Sequence, residues 1–220
     1  MSETYPAATV IVLRDGADGL ETLLLRRNSK IAFGGMWVFP GGRIDLADWA
    51  GLAAVEELEA ARRAAVREAH EEAGLRLDPA GLHALSHWTP PATAPKRFLT
   101  WFFVARASSD EVTIDRGEIH AHEWMRPAEA LRRRDAQEIE LAPPTWVTLA
   151  WLTNRTDVAA AVTAAAPRSP ERFATRIVLG SEGPVALWHG DAAYEAETFD
   201  VDGPRHRLWM SPTGWRYERG

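Results

Sequence analysis

The run from Arg67 to Leu75 constrains the fold of this chain more than any other stretch, because it places three carboxylates at helical spacing. Glu68, Glu71 and Glu72 stand at i, i+3 and i+4, so a helix would carry all three on one face, a turn apart. Like charges at that spacing repel each other and bring no stability by themselves. A hard divalent cation such as Mg²⁺ removes the repulsion and also accepts substrate phosphates as ligands. The run therefore predicts a helix with a metal site, the alternative being a charged, solvated surface helix.

A helix over residues 59–73 is supported by the pattern around this run. Glutamates and arginines recur at successive i+4 steps, which favours a helix through ion pairing, and Gly74 is typical of a helix C-cap. Small and apolar residues form an arc on another side, which predicts the face that packs on the core. The i+4 series consists of Glu59, Arg63, Arg67 and Glu71, and the arc consists of Leu58, Ala65, Val66, Ala69 and Ala73.

Together with the upstream Pro40-Gly41-Gly42, this stretch resembles the Nudix box of the Nudix hydrolase family. That pattern runs Gly, five residues, Glu, seven residues, Arg-Glu, an apolar residue, any residue, Glu-Glu, any residue, Gly and an apolar residue. Here seven residues separate Glu59 from Arg67, but sixteen residues separate Gly42 from Glu59. We interpret the extra eleven residues as an insertion between the Gly-rich loop and the helix.

The resemblance implies a fold of the α/β (α+β) class, an α/β/α sandwich around a mixed β-sheet. We divide the chain into a Nudix hydrolase domain over 1–166 and a C-terminal β-rich extension over 167–220 that packs on the same domain. Strands are predicted over 7–13, 21–26, 82–88, 98–105 and 111–114, with four more in the extension. Helices are predicted from residue 127, over 145–152 and over 157–165.

The resemblance also implies a divalent-metal site, occupied by Mg²⁺ or Mn²⁺. Glu68, Glu71 and Glu72 would hold the metal, together with a backbone carbonyl of the Gly-rich loop, for which we favour Gly41. An acidic residue ahead of the later Trp-containing strand would complete the site, and Glu118 is our choice for it.

Hydrolysis also needs a general base and a positioned phosphate. Glu68 and Glu118 are the candidates for the base, with Glu123 as the alternative to Glu118. Arg67 would pair with Glu59 and hold the helix in position rather than contact substrate. Weaker candidates for phosphate contact are Arg26, Arg27 and Arg97.

The nearest resemblance is to the branch that contains the peroxisomal coenzyme A diphosphatase. It rests on Leu23 to Arg27, Val38 to Gly42, the insertion over Arg43 to Ala54, and Trp88 to Phe103. It implies cleavage of a nucleoside diphosphate linked to another moiety, with coenzyme A or acyl-coenzyme A as first choice. ADP-ribose, a nucleotide sugar or a nucleoside triphosphate are the alternative substrates. Two other classes stay open: a non-catalytic Nudix-like ligand sensor, and an interaction protein that uses its Trp-rich tail.

Composition narrows the remaining classes. The 220 residues contain no cysteine, which excludes disulfides, thiolate catalysis and Cys-zinc sites. His120 and His122 form a His-x-His pair, but a third zinc ligand is not evident. The net charge of -6 argues against nucleic acid and membrane as partners. The sequence lacks an N-terminal signal and a long apolar run, so we expect a cytoplasmic protein with a small-molecule substrate, and a homodimer is left open.

Overall fold

The computed structural model describes residues 3–28, 34–196 and 198–220, and a mixed sheet forms its centre. The strands are β1 Glu3–Gly16, β2 Gly19–Arg27, β3 Trp37–Val38, β4 Gly41–Arg43, β5 His83–Thr89, β6 Lys96–Arg106, β7 Ile119–Met125, β8 Glu171–Ala174, β9 Arg176–Gly180, β10 Gly183–Leu187, β11 His206–Ser211 and β12 Gly214–Arg219. The α-helices are α1 Glu57–Ala73, α2 Pro127–Asp135, α3 Pro143–Leu152 and α4 Val158–Ala165.

The central sheet has the strand order β3-β2-β1-β6-β5-β8, with β4 also paired to β1 and β7 to β2. β1 runs parallel to β6 along a register that starts at Glu3 opposite Lys96 and ends at Leu13 opposite Arg106. β5 and β8 are also parallel, whereas β1 and β2 are antiparallel. The predicted mixed sheet is therefore confirmed.

Alternation along β1 separates two apolar layers, because successive side chains of a strand point to opposite faces. Val10 and Val12 belong to the core cluster that contains α1, while Ile11 and Leu13 belong to the cluster that contains α3 and α4. The α1 face of the sheet contacts a row of fully buried alanines on the helix, including Ala65, Ala69 and Ala73. Small side chains let the helix backbone lie close to the sheet. The predicted α/β/α sandwich is confirmed, although Leu58 and Val66 are only partly buried.

Helix α1 agrees with its prediction. It ends at Gly74, which adopts φ 70 and donates its backbone N–H to the carbonyl of His70 at 2.9 Å. A left-handed residue at this position is the usual helix C-cap.

The predicted strand over 111–114 is wrong. This segment forms no strand pairing and instead bonds to the end of α1, where the N–H of Thr113 donates to the carbonyl of Ala73 at 3.0 Å. The N–H of Asp115 donates in the same way to the carbonyl of Glu72 at 3.3 Å. The last carbonyls of a helix lack partners within the helix. The N–H groups of Thr113 and Asp115 bond to two of these carbonyls, so these two backbone donors are not available to a sheet.

The extension joins the main domain through a strand that the sequence did not predict. β8 pairs with β5 at the edge of the central sheet. β9 to β12, the four predicted strands, then form a second, antiparallel sheet of order β12-β11-β10-β9. Trp188 and Leu208 of this region are fully buried in the same core cluster as α3 and α4. In the part of the chain that the structure describes, no helix is both long and apolar enough to cross a membrane.

Candidate active site

The predicted carboxylates line one cavity of about 850 Å³ beside α1. The helix supplies Glu68, Glu71 and Glu72, and the segment that precedes β7 supplies Glu118. The Gly-rich loop reaches the same cavity through Gly41 and Gly42 of β4. Residues from distant parts of the sequence thus line the same cavity.

Glu72 is the most buried of these carboxylates, with 4% of the residue exposed. Its Oε2 accepts a hydrogen bond of 2.9 Å from the N–H of Gly41. Its Oε1 has no hydrogen-bond partner among the described residues, and the guanidinium of Arg27 lies 3.9 Å from it. Burial raises the pKa of Glu72 to about 7, even though the Gly41 hydrogen bond and Arg27 act in the opposite direction. A buried carboxylate oxygen without a donor is costly, so it fits a position that a cation completes.

Gly41 and Gly42 are required by space rather than by backbone angle. A Cβ on Gly42 would overlap the carboxylate of Glu68, and a Cβ on Gly41 would lie 2.5 Å from the carbonyl oxygen of Ala8. The hydroxyl of Thr9 donates to the carbonyl of Pro40 at 2.6 Å and holds the start of the loop. Glycine at 41 therefore lets the loop backbone pack against β1, and glycine at 42 leaves room for the carboxylate of Glu68 in its present position.

Arg67 organises the carboxylates of α1. Its guanidinium donates to Glu68 at 2.8 Å, to Glu71 at 2.9 Å and to Asp48 at 3.0 Å. It also donates to the backbone carbonyl of Arg43 at 3.0 Å, which ties the helix to β4. This single side chain thus fixes the orientation of two predicted metal ligands.

The predicted ion pair between Arg67 and Glu59 is wrong. The carboxylate of Glu59 contacts Arg62 at 3.3 Å and Arg63 at 3.9 Å, and Glu59 does not line the cavity. Eight residues along an α-helix span about 12 Å, which is too far for a direct pair between Glu59 and Arg67. Glu59 therefore belongs to the outer surface of the helix and not to the candidate active site.

Asp48, and not Glu59, is the acidic residue that pairs with Arg67. Its side chain is 6% exposed, and its carboxylate accepts from Arg67 and, at 2.8 Å, from the N–H of Asp45. Five residues separate Gly42 from Asp48, as the family pattern requires for its first acidic residue. The insertion therefore follows this acidic residue instead of preceding it. The five-residue spacing was the available signal, and an aspartate in place of glutamate concealed it.

The two candidate acids near β7 have different surroundings. Glu118 lines the cavity, is 58% exposed and accepts a hydrogen bond of 3.0 Å from Arg27. Glu123 lies within β7, outside the cavity, and pairs with Arg133 of α2 at 2.9 Å. The geometry thus favours Glu118 over the alternative, Glu123.

Of the three predicted phosphate contacts, only Arg27 lines the cavity. Arg26 is exposed outside it, and Arg97 donates to the carbonyl of Pro90 at 3.1 Å. Sequence reasoning missed Arg43 and Lys96, which both line the cavity and have no ion-pair partner among the described residues. The signal for Lys96 is its place on β6, since side chains two residues apart on a strand share a face.

The far part of the cavity is apolar. Its wall consists of side chains from the loop after β5, from β6, from the start of α3 and from β9, namely Pro90, Pro91, Ala94, Phe98, Pro143, Pro144 and Ile177. The cavity thus combines a carboxylate end with an apolar end.

The donor set fits a hard divalent cation, because it consists of carboxylate oxygens. In the described residues, no three His, Cys, Asp or Glu side chains are already grouped as ligands of one ion. Arg67 binds Glu68 and Glu71, and Gly41 binds one oxygen of Glu72, so these contacts hold the acids in place. His120 and His122 are both exposed on β7 and do not line the cavity.

Comparison with known proteins identifies the architecture. Residues 4–152 match the family model described as NUDIX domain. A NUDIX hydrolase from Alicyclobacillus acidocaldarius superposes with a TM-score of 0.67 at 23% identity, over 77% of this chain and 100% of that chain. A MutT NUDIX hydrolase from Burkholderia pseudomallei gives 0.51 at 22% identity, over 68% and 98%. The NUDIX domain of Shewanella oneidensis NrtR, complexed with ADP ribose, gives 0.51 at 17% identity, over 70% and 88%.

Proposed function

Because the chain belongs to the Nudix family of hydrolases, we propose that it is a divalent-metal-dependent pyrophosphohydrolase that cleaves a nucleoside diphosphate linked to another moiety. The observation that carries this proposal is Glu72, a buried carboxylate with one oxygen that lacks a donor, in a cavity shared with Glu68, Glu71 and Glu118. A solvated surface helix would have no reason to bury such a group.

Mg²⁺ or Mn²⁺ would be held by these four glutamates and by the carbonyl of Gly41. A bound divalent metal neutralises phosphate charge and lowers the pKa of a water molecule that it binds. Glu68 or Glu118 would accept the proton from the attacking water. Arg67 keeps Glu68 and Glu71 oriented and does not itself contact substrate.

The substrate phosphates would be bound by cations that are not already occupied. Arg43 is the best placed, since it lines the cavity and has no ion-pair partner among the described residues, whereas Lys96 lies at the far end of β6 from the carboxylates. The guanidinium of Arg43 lies 4.1 Å from the ring of Tyr5, which holds its orientation. Arg27 is already engaged with Glu118, so it would need to exchange that partner for a phosphate.

Coenzyme A or an acyl-coenzyme A is the first choice of substrate. The resemblance to the coenzyme A diphosphatase branch supports it, and so does the apolar end of the cavity, which suits a pantetheine or acyl arm. ADP-ribose is the second candidate, favoured by the ligand of the Shewanella domain. A ligand sensor without catalysis is less favoured, because all of the carboxylates in the glutamate set are present.

A product screen with Mg²⁺ or Mn²⁺ tests the proposal. The compounds are coenzyme A, an acyl-coenzyme A, ADP-ribose, NADH, a diadenosine polyphosphate and a nucleoside triphosphate. We expect metal-dependent cleavage of a diphosphate bond, highest kcat/KM for the coenzyme A compounds, and no cleavage by Glu72→Gln. If none of the compounds is cleaved with either metal, the proposed enzymatic activity is contradicted. If kcat/KM for ADP-ribose or the triphosphate exceeds that for the coenzyme A compounds more than tenfold, the choice of coenzyme A as substrate is contradicted and the proposed chemistry is not. A tenfold ratio is about 1.4 kcal/mol in transition-state binding.

A further inference from the structure

We propose that the C-terminal sheet forms the outer wall of the substrate cavity, and that Ile177 on it selects substrates whose diphosphate carries an apolar arm. The inference rests on the proposed function, since it concerns the moiety attached to the diphosphate. Ile177 lies beyond residues 4–152, the part of the chain that matches the family model. The selectivity is thus a property of the extension and not of the shared domain.

Contacts at Thr175 fix the position of this wall. Ala174, the last residue of β8, lies opposite Thr89 of β5. The N–H of Thr175 donates to the carbonyl of Thr89 at 2.9 Å, and its hydroxyl accepts a hydrogen bond of 3.0 Å from the indole of Trp188. The chain passes from the central sheet into β9 at this residue. Ile177 follows two residues later, so its place at the cavity is set by bonds to both sheets.

Ile177 is exposed where an apolar side chain would normally be covered. It is 43% exposed and lines the cavity, whereas the intervening Val178 packs in a small apolar core of the second sheet. Leu179 lies on the same face of β9 and is 81% exposed, but it is outside the cavity. A bound apolar group would cover Ile177, and burial of that surface favours binding.

A row of β6 side chains lines the same cavity as Ile177. Phe102, Thr100, Phe98 and Lys96 alternate along β6 and all line the cavity. Phe102 lies opposite Thr9 of β1, and β4 with its glycines pairs with β1 at that same residue. The path from this end to Lys96 covers six residues, or about 20 Å along a strand. A diphosphate at the carboxylate end would therefore direct its attached arm along β6 toward Phe98, in the cavity that Ile177 also lines.

The occupant is an arm attached to the diphosphate, and not a separate apolar ligand, because one cavity contains both the carboxylates and the apolar wall. The test uses uncleavable α,β-methylene analogues of ADP that carry a methyl ester or an n-octyl ester, with Mg²⁺ present. Titration calorimetry gives the ratio of the two dissociation constants. We expect the octyl compound to bind the wild-type protein at least tenfold more tightly than the methyl compound.

Variants on β9 assign this preference to a residue. Ile177→Asp should bring the ratio close to one, and Ile177→Ala should reduce it about threefold if the aspartate variant does not fold. Leu179→Asp is the matched control, on the same face of the same strand, and should keep the wild-type ratio. A wild-type ratio near one, an unchanged ratio in both Ile177 variants, or an equal loss in Leu179→Asp would each overturn the proposal.

The methyl and n-octyl esters of ADP itself, whose diphosphate bridge can be cleaved, separate this inference from the proposed function. If neither ester is hydrolysed with Mg²⁺ or Mn²⁺ but the binding ratio behaves as expected, the apolar wall stands and the proposed chemistry fails for these diphosphates. If both esters are hydrolysed and the ratio is near one, the chemistry stands and the role of Ile177 fails.

Discussion

Replacing Asp48 by asparagine tests the arrangement around Arg67 most directly. The side chain of Asp48 is 6% exposed, and its carboxylate accepts from the guanidinium of Arg67 at 3.0 and 3.3 Å. Asparagine keeps the shape and one acceptor oxygen, but it removes the charge and directs an N–H₂ group toward another donor. The variant therefore removes the buried counter-ion of Arg67 with little change of volume.

The expected loss of stability follows from the partners that Arg67 keeps. Breaking a fully buried ion pair costs about 3–5 kcal/mol, and one hydrogen bond to a charged group contributes about 1.5–3 kcal/mol. The Arg67 side chain is 25% exposed and retains its bonds to Glu68 and Glu71, so the smaller figure applies. We expect the free energy of unfolding to fall by about 1.5–3 kcal/mol.

Activity should fall as well, because Arg67 orients two predicted metal ligands. We expect kcat to decrease at least tenfold at saturating metal, which corresponds to about 1.4 kcal/mol in the barrier. Asp48→Glu keeps the negative charge that Asp48→Asn removes, so its kcat should be higher than that of Asp48→Asn.

Urea denaturation without metal measures the stability term, and Glu59→Gln is the matched control. The side chain of Glu59 is 46% exposed and pairs with arginines on the same helix. Exposed pairs of this kind contribute about 0–1 kcal/mol. The reasoning is refuted if Glu59→Gln lowers stability and kcat as much as Asp48→Asn, since Glu59 would then be the true partner of the network.

Three further predictions concern the cavity itself. Glu71→Gln and Glu72→Gln should each lower kcat by at least about a hundredfold with the fold intact, because each removes a proposed metal ligand. Glu72→Gln should also change the pH dependence of stability: burial raises the pKa of Glu72 from 4.5 to about 7, so the folded state binds this proton more tightly than the unfolded state. Wild-type stability should therefore fall by up to about 3 kcal/mol as the pH rises from 4.5 to 7, and the variant should lack this fall. Denaturation at pH 5 and pH 8 in a chelator measures it, and equal pH dependence of the two proteins would contradict the assignment. Arg43→Gln should raise KM at least threefold, whereas Arg97→Gln, which removes a cation outside the cavity, should leave KM unchanged. A larger effect at Arg97 would show that the phosphates bind elsewhere.

The sequence by itself determined the elements whose signals are local. Helix α1 was predictable because glutamates and arginines of opposite charge recur along it at i+4, as in the Arg67–Glu71 pair, and because Gly74 ends a helix through its own backbone angle. The β1 strand was predictable from its run of apolar, β-branched residues. In each case the information lies within a few residues of the element that it specifies.

Tertiary structure decided which of these local elements meet. The motif alignment selected Glu59 as the partner of Arg67, but a straight helix keeps those residues apart, and only the return of the chain through the insertion brings Asp48 to the guanidinium. Glu118 and Glu123 look alike in sequence, yet Glu118 pairs with an arginine of β2 and Glu123 with an arginine of α2. Ile177 reaches the cavity because β8 joins the edge of the central sheet. These contacts join residues far apart in the chain, and no local pattern encodes which distant partner the packing selects.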